Sequence, residues 1–116
     1  EEPDDQRDTT TPAAMAENLR KLLFGDALSR RSRDQLSAWM ITNKTGDERL
    51  RAGFPPDWLV GDKTGTNASG TANDVAVAWP STRGPLVVAA YCEMPSISAR
   101  ERNAVLVEVG RIAAGV

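Results

Sequence analysis

Three strand candidates in the second half of the chain, Trp58 to Thr66, Thr71 to Trp79 and Leu86 to Glu93, are separated only by Asn67-Ala68-Ser69-Gly70 and Pro80-Ser81-Thr82-Arg83-Gly84-Pro85. Those connectors are rich in Gly, Pro, Asn and Ser, the residues of turns. A parallel crossover needs a dozen residues or more, so links this short force antiparallel neighbours. The runs Val75-Ala76-Val77-Ala78-Trp79 and Leu86-Val87-Val88-Ala89-Ala90 lack clean alternation of apolar and polar residues. Such strands are buried on both faces and need a helical cover on each side.

The covering helices are legible on either flank of the meander. Thr11-Pro12 is an N-cap followed by Pro at the first helical position. Met15, Leu19, Leu22 and Leu23 then recur at helical spacing, and Gly25 reads as a C′ glycine. Ser32-Arg33-Asp34-Gln35 reads as a capping box opening a second helix with Leu36, Trp39 and Met40 inward, closed by Asn43-Lys44-Thr45-Gly46. Asp47 to Ala52 suits a short helical turn, stopped by Phe54-Pro55-Pro56-Asp57. Ser98-Ala99-Arg100-Glu101 is another box, opening a last helix with Val105, Val109, Ile112 and Val116 on one stripe. Trp39, Trp58 and Trp79 are expected in the core. The fold class is α+β: a three-stranded antiparallel sheet between helices. So small a sheet leaves much apolar surface without partners, which suggests a larger sheet and an incomplete folding unit.

The chain has 116 residues, enough for one domain. Its net charge of −2, with acids and bases interspersed, offers no basic stripe for nucleic acid and no polybasic run for an anionic membrane. No apolar run approaches the roughly 18 residues of a membrane span. No signal peptide is recognisable, and Glu1 to Asp8 reads like the middle of a surface loop. Cys92 is the only cysteine and reads as a small buried hydrophobe. Histidine is absent, which excludes a Ser-His-Asp or Cys-His arrangement from this chain alone and weakens a zinc reading.

One stretch carries chemistry: Gly61-Asp62-Lys63-Thr64-Gly65-Thr66. Lys63 and Gly65 share one face of an extended strand. Gly65 lets a ligand approach the backbone, and on an edge strand the Thr66 amide is free to donate. A cation, two hydroxyls and a free N–H suit a ligand with a carboxylate and a carbonyl that becomes an oxyanion. The same residues also suit a plain edge strand, where Lys guards against aggregation and Thr is a good strand former.

Lys-Thr-Gly is one of three motifs of class A β-lactamases and penicillin-binding proteins. The chain resembles class A serine β-lactamases well beyond it, in the carbapenemase-like and CTX-M-like branches. Arg7 to Ala16 is similar to the end of that family's Ω-loop entering a helix. Arg49 to Trp58 resembles the approach to the Lys-Thr-Gly strand, and Gly70 to Val77 the strand after it. The resemblance covers the whole chain but only about the second half of the family's. It implies one partial domain over 1–116: loop end 1–11, helical part 12–52, meander 58–93 and final helix 97–116. It also implies β-lactam hydrolysis by serine acylation and deacylation, no cofactor or metal, and a periplasmic or secreted setting.

By resemblance, Lys63 anchors the site electrostatically, and Thr64 and Thr66 bind the substrate carboxylate. The Thr66 amide forms half of the oxyanion hole, with Gly65 giving access. Arg49 stands in for an arginine that some branches place on the next strand, where this chain has Ala72. Thr45 lies near it with its hydroxyl toward the ligand. Asp8 matches an Ω-loop aspartate of structural role, and Asp62 and Asp74 are anchors. The nucleophile motif is missing, since Asn18, Ile41 and Val60 stand three before the lysines, Lys21, Lys44 and Lys63. Ser-Asp-Asn and Glu-x-x-Leu-Asn are missing too, Glu1 and Glu2 falling just past where the latter would be. The expected partner is therefore an N-terminal half carrying the serine, either a separate chain or a missing segment. The alternatives are a fragment of a penicillin-binding transpeptidase, or an inert binding or complementation fragment.

Overall fold

The computed structural model describes residues 5–116, so what was expected of Glu1 and Glu2 lies outside it. The elements run α1 (Pro12–Phe24), α2 (Arg30–Thr42), α3 (Leu50–Gly53), β1 (Leu59–Thr66), β2 (Thr71–Trp79), β3 (Leu86–Glu93) and α4 (Ala99–Ala114). The strands form one antiparallel sheet in the order β1-β2-β3, with Gly65 opposite Asn73 and Ala78 opposite Leu86. Both β1 and β3 are edge strands of this sheet.

Strand β2 separates two cores. Ala72, Ala76 and Ala78 pack with Leu50, Phe54 and Leu106 under α3 and α4. Val77, with Val75 and Trp79, packs with Leu19, Leu23 and Met40 under α1 and α2. Alternate residues of one strand thus serve opposite layers, and both faces are covered as the non-alternating pattern requires.

Helix α1 begins where its cap indicates, with Ala14 N donating to Thr11 Oγ1. Gly25 closes it with φ −91°, so the left-handed C′ conformation is not used. The position still excludes a side chain, because a Cβ there would lie 2.6 Å from Lys21 O. Helix α2 starts a turn earlier than expected, at Arg30. Ser29 Oγ accepts from Ser32 N, and Arg33 N bonds Ser29 O, so the residues of the supposed box lie inside the helix. Helix α4 has the full reciprocal capping box of Ser98 and Glu101.

Two expectations about burial fail. Trp39 is 66% exposed. The inner stripe of α2 runs through Leu36 and Met40, and Trp39 stands on its flank; Trp58 and Trp79 are half-buried, stacked on Phe54 and edge-on to Phe24. On α4 the buried positions are Leu106 and Gly110, while Val105 and Ile112 are exposed, Ile112 at 63%, as is Val116 just beyond the helix. The cause is a close helix crossing. A Cβ on Gly110 would lie 2.4 Å from Leu50 O, and one on Gly53 2.1 Å from Val107 O. The backbones of α3 and α4 touch there, and that contact turns the larger side chains outward.

Candidate ligand-binding strand

The chemistry-bearing residues converge on β1. Asn67 N donates to Thr71 O across the turn, so the alternation of an antiparallel ladder directs the amides of Thr66 and Thr64 to the open edge. Side chains alternate too. Gly61 faces α2, where a Cβ would meet Met40 Cβ at 2.9 Å, and Lys63 and Gly65 share that face. Thr64 and Thr66 share the other, with Asp62.

Lys63 borders a cleft of about 320 Å³ lined on its apolar side by Met15, Leu22, Leu36 and Trp39. Its Nζ donates to Thr64 O at 2.6 Å, which holds the ammonium along the free edge. Gly65 leaves that edge open: the nearest atom to an added Cβ is Asn73 Cβ, 3.8 Å away.

Arg49 is not a solvated arginine. It is 8% exposed and buried behind the strand. Its Nε donates to Asn103 Oδ1 (3.0 Å) and its Nη1 to Gly65 O and Asn73 O (3.2 and 2.8 Å). Its Nη2 donates to Thr66 Oγ1 at 2.7 Å. Four of the five guanidinium N–H groups are committed within the protein. Arg49 reaches the open edge through Thr66.

Thr45 is exposed, and its Oγ1 lies 2.7 Å from Thr64 Oγ1. It donates to Asn43 Oδ1 at 3.0 Å. Asn43 Nδ2 in turn donates to Asp62 Oδ1 (3.1 Å), which also receives Arg51 Nη2 (2.9 Å). Asp8 lies apart on the exposed surface with φ 57°, while its neighbour Arg7 pairs with Asp5.

Behind the strand lie two fully buried carboxyls, Asp62 and Asp74. Asp74 Oδ2 accepts from Leu50 N at 3.1 Å, pinning the start of α3. Burial pushes the Asp74 carboxyl up to about 9, with Asp62 beside it adding to the rise. Asp74 therefore holds a proton at neutral pH. Among the described residues, Asp62 Oδ2 and Asp74 Oδ1 have no other hydrogen-bond partner, and one proton between them satisfies both. Gly46 seals the pair from above: a Cβ there would fall 1.5 Å from Asp62 Oδ2.

Sequence reasoning found the strand but missed Asn43, Asn73 and Asn103. Asn43 was visible only as part of a helix stop. Asn103 meets Arg49 from 54 positions away, and no local pattern marks such a contact. Among the described residues, no helix is long and apolar enough to cross a membrane.

A sequence profile described as the β-lactamase enzyme family matches residues 1–115. The β-lactamase AST-1 of Nocardia asteroides is 53% identical over 110 residues, covering 95% of this chain and 36% of that protein. The OXY-2 β-lactamase of Klebsiella oxytoca is 50% identical, with 95% and 38% covered. Among solved structures, an ancestral (GNCA) class A β-lactamase superposes with a TM-score of 0.93 at 59% identity, over 97% of this chain and 44% of its own. A β-lactamase from Xanthomonas campestris gives 0.93 at 53%, over 97% and 42%. The chain thus spans less than half the length of these relatives.

Proposed function

The chain belongs to the β-lactamase enzyme family, and from that membership we propose that it supplies the substrate-binding strand of a serine β-lactamase. In that reaction a serine hydroxyl, carried outside this chain, attacks the carbonyl carbon of the β-lactam. The ring C–N bond breaks, and water later hydrolyses the acyl-enzyme. The carbonyl oxygen gains negative charge in the transition state. The Thr66 amide, unpaired at an open sheet edge, is one donor aimed at it. This is the observation that carries the reading, and losing one such donor costs ~10²–10³ in rate. The Lys63 ammonium at the same edge and the hydroxyls of Thr64 and Thr66 would hold the substrate carboxylate. Arg49 would keep Thr66 in place and lend positive charge behind it. Asp8 would have a structural role in the Ω-loop.

The proposed partner is the N-terminal part of such an enzyme, bringing the serine and the deacylating carboxylate. Unpartnered apolar surface supports it: Trp39 beside the Lys63 cleft, the outward residues of α4, and the free edge of β3. A groove of about 490 Å³ runs between β3 and α4 past Tyr91, Met94 and Val105. The setting proposed is periplasmic or secreted, as is typical of this family. A transpeptidase origin shares Lys-Thr-Gly, but Arg7 to Pro12 resembles the hydrolases' Ω-loop and speaks against it.

The test is complementation. The chain is mixed with a polypeptide spanning the part of the AST-1 enzyme that it does not match, and nitrocefin hydrolysis is followed. Turnover by the pair and by neither part alone is expected. A stable complex that neither acylates nor hydrolyses refutes the proposal. Stoichiometric acylation without turnover favours the transpeptidase, and activity of this chain by itself overturns the division of labour.

A further inference from the structure

The two threonines flanking Gly65 differ in what they can offer a ligand. Arg49 Nη2 donates to Thr66 Oγ1 at 2.7 Å. A guanidinium only donates, so the Thr66 oxygen accepts and its own proton is left for the open edge. At Thr64 the neighbour is a second hydroxyl, Thr45 Oγ1, and the 2.7 Å contact alone does not say which of the two donates.

Asn43 settles it. Asp62 Oδ1 receives Arg51 Nη2, so the Asn43 atom facing it, 3.1 Å away, is the amide nitrogen; the flipped amide would set two acceptors against each other. Asn43 Oδ1 then faces Thr45, where it accepts from both the backbone N (3.3 Å) and the hydroxyl (3.0 Å). The single hydroxyl proton of Thr45 is spent there. Thr45 Oγ1 must therefore accept from Thr64, whose proton points into the loop and whose lone pairs face the strand edge.

We infer that Asn43 and Thr45 are positioning residues that set Thr64 as an acceptor, opposite in sense to the donor Thr66, and so tune recognition of the ligand's acid group. This rests on the β-lactam reading above. The side chains of Thr64 and Thr66, two apart, share a face and present an acceptor and a donor. A carboxamide complements both. A carboxylate, which only accepts, engages Thr64 after that hydroxyl gives up its bond to Thr45. A neutral hydrogen bond is typically worth about threefold to tenfold in an equilibrium constant, which sets the size of the effect.

The experiment uses the complemented enzyme and two substrates, a β-lactam with a free carboxylate and its carboxamide counterpart. Thr45→Val removes the acceptor and frees the Thr64 proton. KM for the carboxylate should fall about threefold to tenfold, and KM for the carboxamide should not fall. Thr45→Ser, which keeps the hydroxyl, should restore the wild-type pattern. Damage to the loop would instead raise both values. Thr45→Ala removes the same hydroxyl and decides the matter if the Val variant fails to fold. If wild type hydrolyses both substrates and neither variant lowers KM for the carboxylate, this inference is wrong while the β-lactam reading stands. If wild type in a stable complex does not hydrolyse, both fall together.

Discussion

Replacing Asp74 by Asn should change how stability depends on pH rather than simply lower it. In the folded protein the Asp74 carboxyl is pushed up to about 9 by burial and, secondarily, by Asp62. In the unfolded chain it titrates near its ordinary value of 3.8. Between those limits the folded state binds one proton more than the unfolded state, so stability falls as pH rises, by up to about 1.4 kcal/mol per pH unit. An asparagine reproduces the protonated geometry. Its Nδ2 can donate to Asp62 Oδ2 where the proton would sit, and its Oδ1 can accept from Leu50 N, yet it does not titrate. The stability difference between the two proteins should therefore tilt in favour of the Asp74→Asn variant by roughly 4 kcal/mol from pH 5 to pH 8. Urea unfolding of the complemented protein at fixed concentration and ionic strength, at four pH values across that range, measures the tilt. Calorimetry in buffers of different ionisation enthalpy gives the proton released on unfolding as an independent check. Parallel stability curves for the two proteins, or no released proton, would refute the argument.

Arg49→Lys keeps a positive charge but cannot span Asn103, the two ladder carbonyls and Thr66 at once. It should reduce kcat/KM for a carboxylate-bearing β-lactam about tenfold or more, at the scale of one charged hydrogen bond, and steady-state kinetics with unchanged kcat/KM would count against the role given to Arg49. Gly46→Ala forces a methyl onto a buried carboxylate that has no room to retreat. It should destabilise the protein by about 3 kcal/mol, the upper range for overpacking; an unaltered urea midpoint would show that the loop over Asp62 yields.

The sheet was legible in the sequence because its turns are short and chemically marked. Thr71–Trp79 and Leu86–Glu93 have the boundaries the sequence suggested, and β1 begins one residue later, at Leu59. Helix α1 was legible for a similar reason, since Thr11-Pro12 is an unambiguous start. Helix α2 was not, because the box pattern at Ser32 points to a start there, whereas the backbone places the cap at Ser29. The inward face of α4 was hidden for a different reason. Val105, Val109, Ile112 and Val116 make the better apolar stripe on paper, but the helix is rotated by Gly110 meeting the backbone of Leu50, far away in sequence. At the candidate site the residues of β1 stood out by type and spacing. Their supports did not, because Asn43 and Asn103 join β1 and Arg49 across 19 and 54 positions. Asp62 and Asp74 were readable as anchors, yet the proton they share depends on complete burial, which composition does not reveal.

The glycine crossing between α3 and α4 has a mechanical consequence. With carbonyl oxygens occupying the space where methyl groups would stand, α4 can neither roll nor slide over α3 without collision. Arg49 caps α3 and Asn103 belongs to α4, so the guanidinium sits at the joint of a rigid bracket. The last helix, none of whose 16 residues lies at the strand edge, thereby helps to seat that cation through Asn103, one hydrogen bond away from the guanidinium that holds Thr66.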